Sequence, residues 1–436
     1  MSGFVVASAD GGRALRLNAA HVLVTVAFIA LTFDPILGTP SAAMFLLCGL
    51  ALFLTDAMGS LKTLVRWWPM LILPTYCVLS TFWSQFPSTT SRYSIQLFIT
   101  LALAVIIAQR VAPRSMLRIM FGIGVLSMVA SLVLARGQSG AAWQGFFGSK
   151  NAFSAAVSVF ALTSMGVLLD SASPRLLRIA GLLGVMAAGP LLVKAESAGA
   201  LITIGPCLMA MLTVKLLRVL TPRQKVFLAI TGGLAALVLA IAALTFGDAI
   251  LAAVLETSGK DVTLTGRTDL WAVGRTFIAD HPFWGVGYRA FWVVGYAPAE
   301  QLWAMFMQQP GAGFNFHDLY ISNAVDLGLV GLGIQVIIIY LALALTGFLA
   351  VARPSGVTAF FFGLQLLLVF RSFVEVEVFF ENSVRSMLVY CTLIYAVRGV
   401  SQWAAETRAA RADAGPLVFG KPALADATFS GRYRHG

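Results

Sequence analysis

Three arginines, Arg267, Arg275 and Arg289, and one histidine, His317, fall within a single polar and aromatic stretch, 266–331, of an otherwise hydrophobic chain. Guanidinium groups do not deprotonate in proteins and pair bidentately with phosphate oxygens. They therefore suit a diphosphate whose negative charge grows as it leaves. An imidazole titrates near neutrality and serves as a general base, and Asp318 is the neighbour expected to orient one of its nitrogens. The plainer alternatives are arginines anchoring the loop at lipid headgroups and an interfacial histidine. The acids of the stretch and its approach, Glu256, Asp261, Asp269, Asp280, Glu300, Asp318 and Asp326, are scattered and form no close pair, so the spacing does not indicate a metal site.

The local elements that must carry these groups are legible. A helix is expected from an N-cap at Thr265 to the stop at His281-Pro282, since proline disfavours helical geometry in its predecessor. On it Arg267, Trp271 and Arg275 stand four apart and share one face. A second short helix is expected over 299–309, closed by Pro310-Gly311, with Leu302, Trp303 and Phe306 on its apolar side. Both are too short to span a bilayer and fit helices lying along an interface. Trp284, Tyr288, Trp292 and Trp303 are placed to stack on the face of a ligand or, more plainly, to anchor at headgroup level.

Around this stretch the chain reads as membrane scaffold. Of 436 residues 59% are hydrophobic and 11% charged, and the mean hydropathy is +0.86, values outside the ordinary range for a water-soluble fold. A hydrocarbon core about 30 Å thick needs roughly 20 apolar residues per helix. Twelve segments approach that length: 20–37, 41–58, 67–83, 93–111, 115–134, 151–170, 176–193, 197–217, 225–246, 328–351, 356–374 and 384–401. The expected organisation is nine spans in 1–247, a large outer loop in 248–327, three spans in 328–403 and a flexible cytoplasmic tail in 404–436. With the N-terminus inside, twenty of the thirty lysines and arginines fall on inner segments, which agrees with the positive-inside rule and puts both termini in the cytoplasm. The net charge of +11 is mostly this topological signal, so nucleic acid is not an expected partner. Cys48, Cys77, Cys207 and Cys391 all fall in apolar segments with no paired spacing, which indicates neither a disulfide framework nor a zinc site. The segment before the last span holds Arg371, Glu375, Glu377, Glu381 and Arg385; a salt-bridged cap is the plain expectation, with Glu375 or Glu381 hydrogen-bonding the hydroxyls of a ligand as the sharper one.

Gly266-Arg267-Thr268-Asp269-Leu270-Trp271, His281-Pro282-Phe283-Trp284-Gly285-Val286-Gly287, His317-Asp318-Leu319-Tyr320 and Asp326-Leu327-Gly328-Leu329-Val330-Gly331, taken together, resemble the O-antigen ligase and Wzy-type polymerase superfamily. Trp83-Ser84-Gln85-Phe86-Pro87 with Arg92 agrees, and Gly148-Ser149-Lys150-Asn151-Ala152-Phe153 is most like the exopolysaccharide-production branch. The resemblance implies an all-α, multi-pass, GT-C-like glycosyltransferase of the bacterial inner membrane, working on the periplasmic face without metal or other cofactor. It implies a polyprenyl-diphosphate-linked oligosaccharide donor and a saccharide acceptor, with membrane lipid, a chain-length regulator and a flippase as expected companions. Carried onto matching positions, it makes His317 the base that takes a proton from the acceptor hydroxyl and Arg267 a diphosphate ligand, with inversion at the anomeric carbon. Arg92 and Lys150 match basic positions of the upstream signatures, and Arg275 and Arg289 are further candidates for the diphosphate or saccharide. Two departures stand out: Asp318 where many relatives carry asparagine, and Ala198 where many carry a basic residue, a contact that Lys194 or Arg289 is then expected to supply. Within the superfamily a polymerase of lipid-linked repeats is expected, with a ligase onto lipid A core or another acceptor as the alternative. A transporter of polysaccharide or lipid-linked sugar is the alternative of another class.

Overall fold

A computed structural model describes residues 3–6, 15–134, 142–228, 230–234, 238, 265–311, 313–379 and 383–413. Apart from a short antiparallel pair, β1 (Gly3–Val6) with β2 (Leu15–Asn18), the described chain is helical. The helices are α1 (Ala19–Thr32), α2 (Thr39–Leu54), α3 (Ala57–Arg66), α4 (Ile72–Leu79), α5 (Pro87–Arg110), α6 (Pro113–Leu134), α7 (Lys150–Leu169), α8 (Arg175–Lys194) and α9 (Ala198–Leu216). They are followed by α10 (Thr265–Asp280), α11 (Ala297–Met305), α12 (Leu319–Ala352), α13 (Gly356–Ser372) and α14 (Val384–Asp413).

The sequence starts several of these with recognisable chemistry. Pro87 and Pro113 open α5 and α6, where the missing N–H costs nothing. Ser149 caps α7 by accepting from Ala152, and Ser355 with Thr358 forms a reciprocal capping box on α13. The bundle packs around α7, whose apolar window is 78% buried, against 28% for α8 and for α9, which therefore leave apolar faces turned outward. α7 contacts α6, α8, α9 and α13, while α14 packs between α5 and α12.

Among the described residues six helices are long and apolar enough to cross a membrane: α5, α6, α7, α8, the stretch Gly199–Leu216 of α9, and α12. A seventh arises if α2 and α3, bent by 96°, form one span. Expected segments 20–37, 67–83 and 356–374 appear as shorter apolar helices, and 384–401 lies within α14, which is not among the six. Segment 225–246 falls largely outside the described residues, as does Glu381. Length and composition thus support a multi-pass membrane protein without reaching the count of twelve.

The stretch 265–318 forms a small core of its own, in which Leu270, Val286, Phe291, Leu302, Trp303 and Phe316 are buried together. Each such side chain stabilises by about 1.5–3 kcal/mol when fully buried, so this segment is a packed platform. α11 buries Leu302 and Trp303, as its apolar side required.

Two glycines let the platform dock on the bundle. At Gly328, φ is +66°, the helical geometry of α12 breaks, and an added Cβ would meet the Phe283 carbonyl group at 2.3 Å. Gly285, φ +68°, faces the Asp326 carbonyl group with equally little room. Backbone hydrogen bonds from Val286 to Val325, Gly287 to Asp326 and Leu329 to Pro282, at 2.7–3.0 Å, use that close approach. The motif residues 281–287 and 326–331 are therefore the two halves of one joint.

Candidate active site

α10 is tied to the segment carrying the histidine by Trp271, whose Nε1 donates to the Phe316 carbonyl at 2.8 Å. His317 lies in the left-handed region, φ +50°, a conformation strained for a residue with a Cβ; its N–H donates to Asn315 Oδ1 at 2.7 Å. Arg289, φ +59°, is strained in the same way, with its N–H donating to the buried Asp326 at 2.9 Å. Strained backbone at two candidate residues shows that surrounding contacts dictate where they stand.

Asp318 does not orient the imidazole. Its carboxylate accepts from the Ile321 N–H at 2.8 Å and caps α12, and burial pushes its pKa up despite the backbone hydrogen bonds from Ile321 and Tyr320. Its geometry is that of a helix cap, which any short polar acceptor satisfies, asparagine included. The carboxylate beside His317 belongs to Glu375: Oε2 lies 3.3 Å from Nδ1. Glu375 Oε1 accepts from Asn151 Nδ2 at 2.7 Å and lies 3.5 Å from Arg267 Nη2. Arg267 also donates through Nη1 to the Val374 carbonyl at 3.0 Å. Glu375 is thus a hub joining α7, α10 and the segment before α12 to the end of α13. The side chains of Arg267, Glu375 and His317 are 22, 17 and 24% exposed, which leaves them reachable from outside.

Chemically, a carboxylate on Nδ1 fixes the tautomer in which Nε2 carries the lone pair, the arrangement a general base needs. Glu375 was expected as a saccharide ligand, and in the structure it is engaged by the histidine. Asn151, not its neighbour Lys150, reaches the cluster; the signature Gly148–Phe153 points to the right turn of helix but not to the right side chain. Lys150 is exposed on the first turn of α7, and Arg275 is exposed on α10; neither joins the cluster. Lys194 packs over Trp143, 5.2 Å from its ring centre.

Arg92 and Arg289 form a separate group, 5.6 and 4.6 Å from the Tyr93 ring centre. Both line a cavity of about 780 Å³ that runs down between α1, α2, α6 and α7, with Arg385 at the same end. Beside it lies the expected salt-bridged cap. Arg371 Nε is 2.5 Å from Glu377 Oε1, and Arg385 Nε is 2.7 Å from Oε2 while directing its N–H to the Glu377 backbone carbonyl at 3.3 Å. Burial raises the Glu377 carboxyl, but the two arginines outweigh it and hold the pKa below the ordinary range.

Residues 183–336, which include α10, α11 and the His317 segment, match the sequence model of the O-antigen ligase family. Over 334 residues, 73% of this chain and 74% of the relative, the sequence is 30% identical to the exopolysaccharide production protein ExoQ of Rhizobium meliloti (strain 1021).

Proposed function

The chain belongs to the O-antigen ligase and Wzy-type family of membrane proteins, and from that premise we propose that it is a glycosyltransferase that polymerises polyprenyl-diphosphate-linked oligosaccharide repeats into exopolysaccharide. The single observation that carries the chemistry is the Glu375 hub, one carboxylate touching the imidazole of His317, the guanidinium of Arg267 and the amide of Asn151. The name of the relative, an exopolysaccharide production protein, favours polymerisation over ligation.

In this reading Glu375 accepts a hydrogen bond from Nδ1–H, and Nε2 of His317 takes the proton of an acceptor sugar hydroxyl, leaving an imidazolium that the carboxylate stabilises. The hydroxyl oxygen bonds to the anomeric carbon as the carbon–oxygen bond to the diphosphate breaks, and the electron pair leaves with the diphosphate. Attack opposite the leaving group inverts the anomeric centre. Arg267, fixed by Val374 and Glu375, offers its charge to the departing phosphates, and Arg92 and Arg289 add to a cationic environment that stabilises them. The reaction takes place on the periplasmic face of the inner membrane, with both termini cytoplasmic.

The test is mass spectrometry of lipid-linked intermediates in a deletion strain complemented with wild type or His317→Ala. Single lipid-linked repeats accumulating with His317→Ala support a polymerase. Long lipid-linked chains instead point to the ligase, and full-length free polymer overturns the catalytic assignment.

A further inference from the structure

The bend between α2 and α3 has an apolar stripe running through it. Leu47, Leu50 and Leu54 on α2 are followed by Met58, Leu61 and Val65 on α3, and then by Trp68. Each comes three or four positions after the last, and each is between 48 and 72% exposed. That spacing makes one helical face, which stays exposed although the axis turns by 96°.

The turn is held from inside. Asp56 caps α3 by accepting from the Gly59 N–H at 2.9 Å, and the buried Ser60 donates to the Asp56 carbonyl at 2.8 Å. Arg110, at the end of α5, donates to the same carbonyl at 2.9 Å and to Ser60 Oγ at 2.7 Å. The inner side of α3 is thus fastened to the bundle, and its outer side is apolar with cations along one edge. Lys62 and Arg66, four apart, run beside the stripe and are exposed; among the described residues neither side chain has a hydrogen-bond or ion-pair partner.

These features select one occupant for the outer face. Left in water, that run of apolar side chains would make the kind of contiguous patch that soluble surfaces avoid. A soluble partner would have to recognise α3 by itself, yet the stripe is continuous with the outer side of α2, an apolar helix about 24 Å long that fits within the hydrocarbon. A helix about 15 Å long with one apolar face, a tryptophan just past its end and basic residues along its edge matches the boundary between hydrocarbon and headgroups. Phosphate is the counter-charge available there.

We infer that α3 is an in-plane helix seated in the membrane interface, with Met58, Leu61 and Val65 towards hydrocarbon and Lys62 and Arg66 binding the headgroup of an anionic phospholipid. The bend then ends the path of α2 through the bilayer instead of extending it. Because α2 also lines the 780 Å³ cavity through Ser41 and Phe45, the seat of α3 sets the depth of that wall. The inference concerns a lipid surface and stands apart from the glycan chemistry proposed above.

The experiment uses the full-length protein in nanodiscs, with bimane on Val65→Cys in a Cys48→Ala background; Cys77, Cys207 and Cys391 are buried. The bilayers are phosphatidylcholine with equal fractions of either brominated phosphatidylglycerol or brominated phosphatidylcholine. Brominated lipid is expected to quench the bimane, and aqueous iodide is not. Quenching should be about fivefold stronger with phosphatidylglycerol, the preference that a single cation near an anionic surface supplies. It should fall to the phosphatidylcholine level in Lys62→Gln/Arg66→Gln. High salt reads the same charge without a substitution and should weaken the preference. Quenching by iodide and not by lipid places α3 in water or against a soluble partner and overturns the seat. Equal quenching by the two lipids before substitution, or a preference that survives both the double substitution and high salt, overturns the headgroup site.

Discussion

Arg92 and Arg110 stand near opposite ends of the same helix, α5, about 27 Å apart along its axis, and are used in opposite ways. Arg110 is consumed by structure: it donates to Thr55 Oγ1 at 2.5 Å and Ser60 Oγ at 2.7 Å, fastening the bend between α2 and α3. Its neighbours at that end behave alike. Arg114 pairs with Asp170, Arg118 reaches the Ala172 carbonyl, Arg218 the Pro354 carbonyl and Arg398 the Ala108 carbonyl. Arg92 and Arg289, at the other end, lie over an aromatic ring and line cavities. A cation beside a helix C-terminus finds carbonyls to satisfy it, whereas Arg92 and Arg289 border cavities that a ligand can enter. The same residue type is a staple on one face and a candidate binding group on the other.

The comparison breaks or sharpens under substitution. The largest effect belongs to the site face. His317→Ala should lower polymer formation by about 10²–10⁴-fold at unchanged protein abundance, with Arg267→Ala losing about 10²-fold, read by polymer yield per folded protein. Glu375→Gln should cost less, about 10–100-fold, because the imidazole remains but is no longer held by a carboxylate. An activity equal to wild type in Glu375→Gln removes the hub from the mechanism.

On the staple face the ranking inverts. Asp170→Ala strips partners from Arg114 and from Ser173, whose hydroxyl donates to Asp170 at 3.0 Å. It should lower stability by about 1–3 kcal/mol, seen as a lower Tm, while the folded fraction keeps its turnover. Loss of turnover at full stability would erase the distinction between the faces.

The smallest effect concerns the cap at Glu377. Its carboxyl has a folded pKa below the ordinary glutamate value of 4.5, so its contribution is complete above that value and disappears as pH falls through the folded one. The Tm gap between wild type and Glu377→Gln should therefore be constant from neutrality to about pH 5 and close only under more acid conditions. A gap that closes near neutral pH would place the ion pairs elsewhere.

Much of the platform was legible in advance because its signals are local. The stop at Pro282 and the apolar side of α11 act over a few residues, and the structure uses them where the sequence put them. The pairing of His317 was misplaced for the complementary reason. Asp318 was adjacent in sequence, but an acid directly before a helix is drawn to the free N–H groups of its first turn. The residue that reaches the ring is 58 positions away, and the asparagine holding that residue is a further 224 positions from it in the other direction.

Composition and periodicity alone pointed to a multi-pass membrane protein, and local motifs with a family resemblance singled out the stretch 266–331 and His317 as candidates for the chemistry, because hydropathy, capping and turn preference need no distant partner. Only the tertiary structure selected Glu375 and Asn151 over Asp318 and Lys150, set Arg92 beside Arg289 and left Arg275 outside. Those choices depend on which helix ends meet, and side chains from α5, α7, α10 and the segments next to α12 and α13 become neighbours only when the bundle packs.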